Sequence, residues 1–200
     1  MVKTLTQRIV ILLVLAAVMA VTRIHLSLLH HNVLDASWAI FFLAGFWLRG
    51  AGRWAFPLLM AEAVLVDYLV ISGQGLNFWS HYCVSPAYWF LVPSYAALWF
   101  GGAWLRAHSH GLQLRDFGLL VASAVVAASA CYLVSNGSFY WISASVPVRS
   151  FGGGIENLGD WYLPCVQTTL MYIGIAAALH VATVVAARSL VPAARTGATR

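Results

Sequence analysis

Hydrophobic and polar positions divide the chain into six apolar runs separated by short polar breaks. A hydrocarbon core about 30 Å thick is crossed by roughly 20 helical residues. On that scale the runs predict spans at about 8–28, 34–48, 54–71, 87–105, 117–134 and 163–187. The first follows Lys3 and Arg8, so a cleaved signal peptide competes with a retained helix; Val18-Met19-Ala20 loosely resembles a cleavage site. The second is short and ends at Arg49 and Arg53, and the third carries Glu62 and Asp67. Aromatic residues close both ends of the fourth, as in an interfacial belt. Two connections stand out: 73–88, which has no Lys, Arg, Asp or Glu, and 135–162, read as a long polar, aromatic and glycine-rich segment.

Composition fixes the class. The 200 residues are 62% hydrophobic and 8% charged, against about 25% charged in an ordinary soluble domain. No polar stretch is long enough for a second domain, so 1–200 is read as one all-α integral membrane domain. Lys and Arg number 11 against 6 Asp and Glu. Their distribution reads as membrane topology rather than nucleic-acid binding. With the N-terminus cytoplasmic, Lys3, Arg8, Arg49, Arg53, Arg106, Arg115, Arg188, Arg195 and Arg200 lie inside, and only Arg23 and Arg149 outside. That is nine against two, which places both termini in the cytoplasm and the 73–88 and 135–162 connections together on the outer face.

Candidate chemistry gathers in those outer connections. Trp79, His81, Tyr82, Cys83 and Tyr88 lie close together in sequence, with ring faces for a large flat ligand and Cys83 as a soft metal ligand. His81 is a second ligand or a hydrogen-bond partner; the plainer reading of each is a small or solvated loop residue. Cys131 and Cys165 lie within apolar spans and read as small hydrophobes. Asp67 lies near the outer end of its span and faces the expected cavity. Glu62 is five residues earlier, about 140° around a helix, so the two carboxylates do not form one acid pair. Asn136, Phe139, Tyr140, Trp141, Asn157, Trp161 and Tyr162 add ring faces and amides from the second connection. Ala16 and Ala20 form a small-xxx-small pair that lets another helix approach. No HExxH, CxxC, GxSxG or GxxxxGK[ST] pattern is present.

Taken together, these features resemble a known family. Six spans, internal termini, an alanine motif in the first helix and a long outer loop are similar to the substrate-binding S-components of energy-coupling-factor (ECF) vitamin transporters. The stretches CYLVSNGSFYWI and PVRSFGGGIENLGDWYLPCVQTTL resemble the corresponding region of that group, and the cysteine in SHYCVSPAY looks like the mark of its solitary cobalamin-specific branch, the BtuM type.

The resemblance implies uptake of cobalamin across a bacterial inner membrane, with the vitamin bound from the periplasmic side and Cys83 approaching its cobalt as an axial ligand. It implies docking of a coupling protein at Ala16 and Ala20, although members of the solitary type are thought to work without a dedicated coupling module. Trp79, Tyr82 and Tyr88 suit the corrin face, and Asn side chains its amide rim. Thiolate ligation also opens the way to decyanation of cyanocobalamin. Two other readings stand beside it: an S-component for another vitamin, served by an ECF module, and a haem- or copper-handling membrane protein using His30, His31, His81 and Cys83.

Overall fold

The computed structural model describes residues 4–28 and 35–189; His30 and His31 lie outside them. The described residues are helical with no strand, in the order α1 (Leu5–Leu28), α2 (Ser37–Trp47), α3 (Gly52–Gly73), α4 (Leu91–His108), α5 (Leu114–Ile142) and α6 (Phe151–Ser189). Single 3-10 turns at Arg49–Ala51, Phe78–Ser80 and Pro86–Phe90 punctuate the connections.

At the centre lie α2 and α4, with α1 and α3 packed on one flank and α5 and α6 on the other. α2 is buried from Ala39 through Gly45. Its eleven residues rise only about 16 Å, roughly half a hydrocarbon core. It is therefore a core element covered by its neighbours rather than a lipid-facing span. α2 and α4 touch backbone to backbone: a Cβ added at Gly45 would lie 2.0 Å from the Trp99 carbonyl oxygen, and one at Gly102 would lie 1.9 Å from that of Phe42. Such close approach through small residues is how helices associate in lipid, where apolar burial offers little drive.

Four stretches are long and apolar enough to cross a membrane: Leu5–Ile24, Arg49–Gly73, Leu114–Ile142 and Phe151–Ala187. Their outward faces are apolar, as Leu13, Val14, Leu65, Val126 and Leu179 show, so lipid rather than water suits them. α4 has 18 residues, the length of a thin span, but it is broken up by Ser94, Gly101, Gly102 and Arg106.

The expected 135–162 connection is mostly helix. α5 runs on to Ile142 and α6 begins at Phe151, leaving only 143–150 between them. α6 has 39 residues, about 58 Å of helix, far beyond the hydrocarbon thickness. A helix of this length must extend past the lipid, and Asn157, Asp160 and Trp161 are among its more polar turns. The polar composition of 135–162 marked the edge of the hydrocarbon, not the ends of the helices.

Candidate functional site

The loop between α3 and α4 is built from local caps. α3 closes with the Gln74 N–H donating to the Ile71 and Ser72 carbonyls. Gly75 follows at φ 75°, the left-handed region that glycine enters without strain. The Asn77 side chain accepts from the Trp79 N–H (2.9 Å), and the Ser85 hydroxyl accepts from the Ala87 N–H (3.3 Å), each opening a 3-10 turn. Cys83 sits between these two turns, half-buried, and forms no disulfide.

Around Cys83 the predicted residues do meet. Its N–H donates to His81 Nδ1 at 3.4 Å. The His81 and Tyr82 rings lie 4.4 Å apart. Burial pushes the Cys83 thiol above its usual range; the nearby Tyr82 hydroxyl opposes the push and the Asp67 charge adds to it. The free side chain is therefore a thiol at neutral pH, and a soft metal would have to displace its proton. Trp79 is 76% exposed and Tyr82 64% exposed, so both present ring surface outward.

Beneath the loop lies a charge network that the sequence hinted at only through Asp67. Arg23 of α1 grips Asp67 of α3 with both ends of its fork, Nε to Oδ1 at 2.8 Å and Nη2 to Oδ2 at 3.0 Å. Arg23 Nη1 also donates to the Ser37 hydroxyl (2.7 Å) and the Tyr95 hydroxyl (3.3 Å), and lies 3.7 Å from Asp35. Ser37 in turn donates to Asp35 at 2.6 Å. The Tyr88 hydroxyl donates to Asp67 Oδ2 at 2.7 Å, which ties the end of the Cys83 loop to this network. One arginine thus pins α1, α2, α3 and α4 at one end of the bundle. The sequence signal for this pair is the opposite sign of Arg23 and Asp67 at similar depths in two apolar helices.

The second connection reaches the same end of the bundle. The Ser145 hydroxyl donates to the Tyr82 carbonyl at 3.3 Å, so the two connections touch beside Cys83. Asn136 accepts from Asn157 Nδ2 at 2.7 Å, and the Tyr140 hydroxyl donates to the Ser150 carbonyl (2.9 Å) while accepting the Ser150 N–H (3.1 Å). Those two candidate ligand contacts are engaged in joining α5 to α6. Trp141 is half-exposed beside them. Cys131 is fully buried in the core, as a small hydrophobe should be, and Cys165 is half-buried. Ala16 and Ala20 lie half-buried on α1, beside its inward residues Leu15 and Met19.

Two hollows among the described residues bear on function. A shallow one of about 440 Å³ opens against Tyr68, Leu76, Phe78 and Trp79, adjoining the Cys83 loop. The other, also about 440 Å³ but better enclosed, lies at the opposite end of the bundle. Among the described residues no three His, Cys, Asp or Glu side chains converge as a metal cage.

Comparison with protein-family models and with characterised proteins finds no match. The fold and the lipid-compatible outer surface define the chain as an all-helical, multi-pass membrane protein.

Proposed function

We propose that this protein takes up cobalamin across the bacterial cytoplasmic membrane, binding it from the periplasmic side with the Cys83 sulfur as an axial ligand to cobalt. The observation that carries this is Cys83 itself: half-buried in the loop between α3 and α4, with its N–H on His81 and the Tyr82 ring packed against His81. A corrin supplies four equatorial nitrogens, so a single soft protein ligand suffices. The exposed faces of Trp79 and Tyr82 suit the flat macrocycle. Entry requires the Tyr82–Ser145 contact between the outer segments to part.

The architecture that goes with this reading is a six-span, S-component-like bundle, with α2 as a protein-covered span, α4 as a partly covered one and both termini inside. Reporter fusions test it: one at 109–112 should read cytoplasmic and one at 144–148 periplasmic, as the nine-to-two charge split demands. The same location for both would refute the arrangement. Coupling through Ala16 and Ala20 belongs to the same proposal, since both sit at the edge of α1's packed face.

Decyanation follows from the same ligation. Thiolate donation weakens the cobalt–cyanide bond, one electron from a cellular reductant takes Co(III) to Co(II), and cyanide leaves with the bonding pair. The protein purified from cells supplied with cobalamin should carry a corrinoid absorption spectrum. A colourless protein that also takes up no added cobalamin would overturn the proposal, and a Soret band would favour the haem reading. Because proton and cobalt compete for the Cys83 sulfur, and burial holds its thiol above the usual range, ligation should strengthen as pH rises above neutral.

A further inference from the structure

The enclosed hollow at the inner end of the bundle is lined by residues of α2, α4, α5 and α6 and serves no part of the Cys83 site. Its volume of about 440 Å³ falls within the range of small-ligand sites, ~300–1,000 Å³. One wall carries a cation. Arg106 lies 5.5 Å over the Phe46 ring, and beside it the His180 ring lies 6.4 Å from Phe46 and 6.3 Å from Trp47. Among the described residues the ion pairs all belong to Arg23, so Arg106 has no carboxylate partner there.

The one acid lining the hollow, Asp116, is already engaged. It accepts the His110 N–H at 3.1 Å and the Gln113 N–H at 3.2 Å, capping α5. Both contacts are local, so this carboxylate is already satisfied within its own turn. The net demand of the cationic wall is therefore for an anion. The remaining walls are apolar, from Leu120 on α5 to Val181 and Val184 on α6, and they continue into the lipid-facing surface at Leu179 and Val185.

A basic rim at the end that carries Arg49, Arg53 and Arg115, opening onto an apolar slot continuous with the lipid surface, specifies an anionic amphiphile. We infer that this hollow binds an anionic phospholipid of the inner leaflet, with its phosphate on Arg106 and an acyl chain in the slot between α5 and α6. The guanidinium, held by the aromatic ring beneath it, presents its fork to the phosphate oxygens. Bound there, the lipid would fill the wedge between the α2–α4 pair and α6.

Native mass spectrometry of the full chain, released from detergent with phosphatidylglycerol or phosphatidylcholine of matched chains, tests this. The wild type should retain phosphatidylglycerol in preference. Arg106→Gln should weaken that retention roughly tenfold, the scale of one lost charge-assisted contact, and leave phosphatidylcholine retention unchanged. Val184→Trp, which fills the slot without touching the charge, should lower retention of phosphatidylglycerol. Circular dichroism and gel filtration confirm that each variant is folded, and Arg106→Lys serves where Arg106→Gln does not fold; it should keep the preference. Equal retention of the two lipids by wild type, an unaltered preference in Arg106→Gln, or undiminished phosphatidylglycerol retention in Val184→Trp would overturn the inference. So would displacement of the lipid by equimolar inorganic phosphate, which would make this a site for the free anion.

Discussion

Gly102→Ala, the addition of one methyl group, should cut the yield of folded protein severely and lower its thermal midpoint in detergent by many degrees. The added Cβ would stand 1.9 Å from the Phe42 carbonyl oxygen and 2.9 Å from the Phe46 nitrogen, so it meets backbone that no rotamer change can move aside. Relief requires α4 to separate from α2. Because α2 is buried from Ala39 through Gly45, that displacement reaches every helix packed on it. Overpacking typically costs ~1–3 kcal/mol and occasionally more, and a clash against backbone belongs at the upper end. Gly118→Ala is the control: nothing lies within 4 Å of its added Cβ, and alanine favours the helix by up to about 1 kcal/mol. Equal midpoints for Gly102→Ala and wild type would contradict the observed contact between α2 and α4.

Arg23→Leu should be nearly as damaging, for an electrostatic reason. It would leave Asp67, with 21% side-chain exposure, stripped of both its guanidinium contacts and stabilised only by the Tyr88 hydroxyl. Removing one partner of a buried ion pair costs about 3–5 kcal/mol, because the other charge stays behind uncompensated. Arg23→Leu combined with Asp67→Leu removes both charges and should recover much of the loss, although Asp35 would still lack its arginine. Tyr88→Phe should cost far less in stability, on the scale of one hydrogen bond to a charged group, ~1.5–3 kcal/mol. Unfolding midpoints of the three variants in one detergent check the order; an unperturbed Arg23→Leu would mean that the network carries no structural weight.

What the sequence could show follows from what hydropathy measures. A window of apolar residues reports contact with hydrocarbon, so α1, α3, α5 and α6 were legible from Leu13, Leu65, Val126 and their neighbours. It does not report where helices end. For that reason α5 continues through Asn136 and Tyr140, and α6 starts at Gly152–Gly154, where a loop was expected. α2 was legible as apolar but not as protein-covered, because burial against α4 and exposure to lipid select the same residue types. The small residues that distinguish them, Gly45 and Gly102, declare themselves only when two helices are placed together.

The candidate site divides in the same way. Cys83, His81 and Tyr82 are neighbours in the chain, and their contacts are local. The Arg23–Asp67 contact spans 44 positions, Tyr95–Arg23 spans 72, and Ser145–Tyr82 spans 63, so none of them can be read from spacing. Tyr88, chosen as a ring for the ligand, also belongs to the network through its hydroxyl. Loop and network are thus one mechanical unit, and a ligand that shifts Tyr88 acts on four helices through Asp67 and Arg23.

The central claim is that the Cys83 sulfur meets cobalt, and the visible spectrum of the bound corrinoid measures it most directly. Cys83→Ala truncates a half-buried loop side chain and should leave the bundle folded, since the caps at Asn77 and Ser85 remain. Wild type loaded with cyanocobalamin under reducing conditions should lose the cyano spectrum and show that of a thiolate-ligated corrinoid. Cys83→Ala should keep the spectrum of the vitamin as supplied, while Cys131→Ala and Cys165→Ala behave as wild type. Identical spectra for wild type and Cys83→Ala, both with corrinoid bound, would contradict the claim.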